Sequence, residues 1–208
     1  TVVKDLRTGL TGTPSEILEF LHKYMTLTRC DLLFADKAVF IEGTSERLLL
    51  PKIIQVLEDS YSAMPKLSSQ YISVVEVGGA YAHLFIPLVK FLELPTLIIT
   101  DLDATKEVTN MKGKKVWVAC KVSEGRRTSN ECIKDWFCLP EITPAELISK
   151  SAADKTKGDV HISYEVPEAN GAPCGRSFED AFIMANHAIF GLAAPSEDEA
   201  WEKAKEEK

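Results

Sequence analysis

The sequence predicts an α/β fold: a parallel sheet flanked by helices, with an added helical elaboration towards its C-terminal end. Three observations predict it. Residues 37–42 (KAVFIE), 71–77 (YISVVEV) and 95–100 (PTLIIT) are short, nearly continuous apolar runs, as expected of strands covered on both faces. Between them lie segments with helical spacing, through Leu48, Leu49, Ile53 and Leu57 in one case and over 82–92 in the other. Strands that alternate with helices pair in parallel, because only a crossover of that length returns the chain to the same edge.

The elements follow in order. Thr13-Pro14-Ser15-Glu16 has the form of a capping box with Pro at the first helical position, and Ile17, Phe20, Leu21 and Met25 repeat after it at helical spacing. The first strand then ends on Glu42, and Gly43 leads into a helix with Pro51 inside it, where a kink is expected. The second strand is followed by Gly78-Gly79, read as a tight turn because no phosphate-loop pattern occurs in the chain, and the third ends at Asp101. Beyond it, 115–120 reads as a fourth strand, 129–138 as a helix, and Thr143-Pro144-Ala145-Glu146 as a second capping box. Residues 161–166 alternate like a strand, 167–175 are loop-forming, 177–190 form a helix with an apolar face, and 196–208 form a charged helix. The expected organisation is a helical lead-in at 1–36, a core at 37–140 carrying a basic insertion, and an elaboration at 141–208 that completes the site.

Composition narrows the function. With 208 residues, 45% hydrophobic and 26% charged, the chain is long enough for one full core. No apolar run approaches the roughly 20 residues of a membrane span, and no signal peptide is evident at the start. We expect a soluble, cytoplasmic protein with no membrane partner. Five cysteines without a Cys-x-x-Cys pair read as reduced thiols in packing roles, and four scattered histidines make no zinc pattern. The sequence starts at Thr1 and ends in a charged run, as expected of a piece of a longer protein.

The net charge of −7 argues against binding nucleic acid by bulk attraction. Its distribution is uneven: residues 106–134 hold eight Lys/Arg against three Glu, a local +5 in a chain that is otherwise −12. Two readings are open for this stretch, a solvated loop or a phosphate-contacting flap beside an acidic site.

The acidic residues carry the chemistry. In sheets of this kind functional groups gather beyond the carboxyl ends of the strands, where Glu42 and Asp101 fall. Asp101 and Asp103, two apart in an extended segment, are expected to face one side while Leu102 faces the core. Glu46 follows Glu42 by one helical turn, across a glycine that leaves room for close approach. Four carboxylates together need a cation, and an all-oxygen set suits Mg²⁺ or Mn²⁺. Each piece also has a plain structural reading: Glu46 as a helix-dipole acid, Asp-x-Asp as a turn and cap.

Taken together, Phe40-Ile41-Glu42-Gly43-Thr44-Ser45-Glu46, Val77-Gly78-Gly79 and Thr100-Asp101-Leu102-Asp103 resemble the Toprim domain shared by topoisomerases, bacterial primases and several nucleases. The resemblance covers about 37–105. The Glu-Gly-x-x-Glu form is most similar to the overcoming-lysogenization-defect (OLD) nucleases, whose Toprim region lies C-terminal to an ATPase. Topoisomerases and primases usually carry a third Asp where this chain has Thr105, and no motif marks Tyr71, Tyr81 or Tyr164 as a nucleophile. The segment 175–182 (GRSFEDAF) resembles an OLD Ser-x-Glu segment that adds ligands for a second metal, whereas by spacing alone Ser177 reads as a helix cap over Asp180. The family also uses a lysine near the end of its Toprim region, for which Lys203, Lys205, Lys208 or a residue beyond this chain are the candidates.

The resemblance implies a DNA endonuclease working through two ions, Mg²⁺ or Mn²⁺, with Ca²⁺ able to bind. It implies Glu42, Asp101 and Asp103 serving mainly one ion and Glu46, Ser177 and Glu179 the other. DNA is the implied partner, along with an ATPase region of the full-length protein that is absent here. The alternatives are a non-catalytic Toprim module that binds DNA or protein, and a topoisomerase- or primase-type fragment.

Overall fold

A computed structural model describes residues 3–27, 30–61, 65–78 and 81–206. In chain order its elements are α1 (Leu6–Gly9), α2 (Ser15–Leu27), β1 (Lys37–Ile41), α3 (Thr44–Ser60), β2 (Ile72–Glu76), α4 (Ile86–Leu92), β3 (Thr96–Ile99), β4 (Ala104–Thr109), β5 (Lys115–Ala119), β6 (Arg127–Thr128), α5 (Glu131–Phe137), α6 (Pro144–Ile148), β7 (Thr156–Lys157), β8 (Val160–Ser163), α7 (Phe178–Ala185) and α8 (Glu197–Glu206). The fold is mixed α/β, with a mostly parallel sheet flanked by helices, consistent with a Toprim-type fold. Two compact units divide the chain: Thr1–Ile99 with Ala153–Ser163, and Thr100–Ala152 with Tyr164–Lys208.

The first unit contains the sheet β2-β1-β3-β8-β7, parallel except for β7 against β8. β1 lies between two parallel neighbours, and Ala38 to Ile41 are all buried, which is why this run is apolar without alternation. Ile41 pairs with Glu76 and Phe40 with Ile98, so the carboxyl ends of the first three strands share one edge. Phe85 anchors the packing against the sheet, with ring centroids 5.0 Å from Phe40, 5.3 Å from Phe20 and 4.7 Å from Tyr24. α3 continues through Pro51 as one helix. Gly79, half of the expected Gly-Gly turn, lies outside the described residues, as does Lys208.

The second unit contains the small antiparallel sheet β5-β4-β6, with helices α5 to α8. The expected fourth strand, 115–120, is therefore β5 of a hairpin and not a further parallel strand. Place four in the parallel sheet goes to β8, whose partner β3 precedes it by about sixty residues. Leu102, Ile133, Trp136, Ile142 and Leu147 are fully buried here, and Ile183 and Met184 of α7 pack with Ala200 and Ala204 of α8. The capping box at Thr143 forms in full, its hydroxyl taking the Glu146 N–H while the Glu146 carboxylate takes the Thr143 N–H. α7 is shorter than the 177–190 reading, ending at Ala185. All five cysteines are free thiols, and burial pushes the Cys120 thiol up. Among the described residues, no helix is long and apolar enough to cross a membrane.

Candidate functional site

The acidic residues fall in both units. In the first unit Glu42 leaves β1, Gly43 takes an extended conformation (φ −149°), and α3 begins at Thr44. Glu46 therefore stands in the first helical turn, where unsatisfied backbone N–H groups favour a negative charge. It is buried, and its Oε2 lies 3.5 Å from the place a β-carbon on residue 43 would take. Glu76, which the sequence reading passed over, closes β2 opposite Ile41; its carboxylate pairs with Arg47 (3.4 Å) and accepts from Thr44 Oγ1 (3.4 Å). That this strand too ends on an acid was its only signal.

In the second unit the Asp101-Leu102-Asp103 segment is held on every side. Leu102 is fully buried, as expected, but Asp103 has φ +52°, so the segment turns and the two carboxylates do not share a side through extended geometry. The reason is a set of distant hydrogen bonds. The Asp103 N–H donates to the Arg176 carbonyl (3.0 Å), and the Ser129 N–H donates to the Asp103 carbonyl (2.9 Å). Asn130, itself buried, donates through Nδ2 to Thr100 Oγ1 (2.7 Å) and to the Asp101 carbonyl (2.8 Å), while its Oδ1 caps α5 by accepting from Ile133 N (3.2 Å). Thr128 Oγ1 donates to the Leu102 carbonyl at 2.7 Å.

The same segment meets the start of α7. The Phe178 N–H donates to Asp101 Oδ1 (3.0 Å), and the Arg176 guanidinium pairs with Asp103 Oδ1. Ser177 caps α7 by accepting from Asp180 N (3.5 Å) and donates to Glu179 Oε2 (3.0 Å), so cap and potential ligand are one hydroxyl with both capacities in use. Gly175 makes the approach possible: a β-carbon there would lie 2.6 Å from the backbone nitrogen of Ala181. Asp101, Asp103, Ser177 and Glu179, more than seventy residues apart in sequence, thus form one hydrogen-bonded neighbourhood in this unit. Within either unit, no three His, Cys, Asp or Glu side chains among the described residues are gathered as a metal group.

Glu165 is the residue whose place the sequence did not suggest. Its Oε2 accepts from the Leu102 N–H at 2.7 Å. Burial first, and then the adjacent Asp101 charge, push its carboxyl well above the ordinary carboxylate range. Two acids stand side by side here, one desolvated and disposed to keep its proton, a pairing characteristic of functional sites.

Residues 33–103 match the overcoming lysogenization defect protein-like Toprim domain. The chain is 31% identical over 176 residues to Endonuclease GajA of Bacillus cereus (strain HuB5-5), a similarity covering 82% of this chain. The chain spans only 22% of that relative's length. No solved structure matches the chain significantly.

Proposed function

From the match of residues 33–103 to the OLD-like Toprim domain, we propose that the chain is the catalytic region of a divalent-metal-dependent DNA endonuclease. The observation that carries the proposal is the pair of hydrogen bonds, Phe178 N–H to Asp101 Oδ1 and Asp103 N–H to the Arg176 carbonyl. They join the Asp-x-Asp segment to the Ser-x-Glu segment, two motifs that nothing in their sequence positions would bring together. The similarity to an endonuclease extends over most of the chain, past the Toprim match itself, and supports the same reading.

Toprim domains generally bind divalent metals such as Mg²⁺, and the donor set fits: carboxylates and one hydroxyl, all hard oxygens, with no soft ligand among them. In the proposed assignment Glu42, Asp101 and Asp103 would hold one ion, and Glu46, Ser177 and Glu179 the other. When bound, such ions supply Lewis acidity for in-line attack of water on a phosphodiester and for departure of the 3′ oxygen. The chain's own residues hold and orient. Asn130 and Thr128 fix the backbone on both sides of Leu102, so the two aspartates present their carboxylates without reorganisation. Ser177 keeps the Glu179 carboxylate in place through its hydroxyl. Arg176 pairs with Asp103 and holds that carboxylate in place.

The Arg176–Asp103 contact also favours a second reading, a non-catalytic Toprim module, because the guanidinium occupies an oxygen that a metal would use. One assay separates them. Supercoiled plasmid is incubated with the chain in Mg²⁺, Mn²⁺, Ca²⁺ or EDTA. The endonuclease reading expects nicked or linear product with Mg²⁺ or Mn²⁺ and none in EDTA. Intact plasmid in every metal, with the chain folded, leaves the module reading.

A further inference from the structure

Beyond Thr105 the hairpin of β4 and β5 adds nothing to the core of its unit. None of residues 106–119 is buried, and Met111 at the tip is fully exposed. β6 pairs only with Ala104 and Thr105, so beyond Thr105 the hairpin is a ribbon two strands wide. Such ribbons are marginal alone, yet this one is shaped by contacts of its own. Lys115 pairs with Glu107 across the strands (2.7 Å). At the tip, Asn110 Oδ1 accepts from Lys112 N (2.9 Å) and Lys114 N (3.0 Å), Asn110 N donates to the Lys114 carbonyl (2.9 Å), and Gly113 supplies φ +71°. The tip is a built turn with no core to serve.

Its charge is equally specific. Of the eight basic residues at 106–134, five have acidic partners: Lys106 with Glu124, Lys115 with Glu107, Lys121 with Asp198, Arg127 with Glu141 and Lys134 with Glu131. Among the described residues no carboxylate pairs with Lys112, Lys114 or Arg126. The two lysines bracket Gly113 at the tip, beside the exposed methionine. The plain count of +5 therefore overstates the stretch as a whole and understates the tip, where the positive charge is uncompensated.

We propose that residues 111–114 dock into a groove of duplex DNA, with Lys112 and Lys114 on backbone phosphates and Met111 against the base edges. A two-stranded ribbon fits a major groove about 12 Å wide. In that groove an apolar side chain can meet thymine methyl groups while flanking cations reach the phosphates. For a chain of net charge −7, a local cationic tip offsets the repulsion that DNA would otherwise meet. The inference rests on the nuclease reading above, and its test is separable from it.

Binding of the full chain to a labelled duplex is followed by fluorescence anisotropy in EDTA across a salt series, and plasmid cleavage in Mn²⁺ is run in parallel. Lys112→Ala with Lys114→Ala should weaken binding several-fold and flatten the slope of log K against log salt by about 1.8, two phosphate contacts' worth. Met111→Ala should weaken binding at an unchanged slope. Lys52→Ala with Lys66→Ala, an equal charge loss in the other unit, should do neither, and thermal melts confirm that each variant folds. If the tip lysine pair matches the wild type or merely equals the Lys52/Lys66 control, or if the wild type does not bind the duplex, the ribbon inference falls. Should cleavage persist in that case, the nuclease reading stands without it; absence of cleavage in every metal sinks the nuclease reading itself.

Discussion

Glu42 and Glu46 stand on a turn that their own neighbours build: a buried strand ends, a glycine follows, and a helix begins whose first turn favours an acid. Asp101 and Asp103 stand on a turn built by others. Residues 128, 129, 130, 165, 176 and 178 all contribute hydrogen bonds to it, and Asp103 is bent into a left-handed conformation that persists because its surroundings hold it there. The first acidic pair is placed by local chain geometry, the second by tertiary structure. The second pair should accordingly be the more sensitive to change, and its supports should matter nearly as much as its carboxylates.

The largest expected effect is on activity. Asp101→Asn keeps an oxygen to accept the Phe178 N–H but removes the charge, so plasmid cleavage should fall to background. The thermal transition of the metal-free chain at neutral pH should hold or rise, because the repulsion with Glu165 is gone. Cleavage at near wild-type rates under matched metal would take Asp101 out of the site.

Asn130→Ala tests the supports. It strips the Ile133 N–H and the Asp101 carbonyl of a buried partner, and should cost about 2–4 kcal/mol in denaturant unfolding. The locally built turn supplies the contrast: Glu46→Gln should cost less, up to about 2 kcal/mol, the scale of a helix-dipole charge away from solvent. Equal losses from the two changes would erase the distinction between the turns.

A pH series sharpens the comparison further. The Glu165 carboxyl titrates above its unfolded value, so its contribution to stability is complete below the ordinary carboxylate range and is lost as pH rises through the raised folded value. Glu165→Gln should therefore make the metal-free chain relatively more stable than wild type as pH climbs towards neutral, and remove that part of the pH dependence. Parallel stability curves for the two proteins would show that Glu165 titrates alike in the folded and unfolded chain, against the raised folded value.

The same division explains what could be read from the chain without its structure. The first three strands fall within a residue or two of their apolar runs, because parallel strands buried on both faces leave an unbroken signature. The Thr143 capping box and the Ser177 cap were visible because capping is local. The bend at Asp103 was not, since two residues apart in a presumed strand carry no trace of Arg176 or Ser129 bonding to the backbone between them. Glu165 is one polar position of the alternating run 161–166, and nothing nearby announces that its carboxyl reaches Leu102. Lys115 to Ala119 was recognisable as a strand but not as a hairpin partner, because pairing depends on which edge is open.

The entry of β8 into the parallel sheet has a consequence for how the chain is made. β3 acquires its outer neighbour only when Val160–Ser163 arrives, long after Thr96–Ile99 has been synthesised. At translation rates of about 5–20 residues per second, the far edge of β3 stays open for several seconds. During that interval the backbone donors and acceptors of Thr96–Ile99 are exposed to any other extended chain, the condition under which nascent sheets aggregate. A polypeptide cut off between the Asp-x-Asp segment and Val160 would keep that edge open permanently. Segments that look like a spacer between two motifs are, for this sheet, what ends its vulnerability.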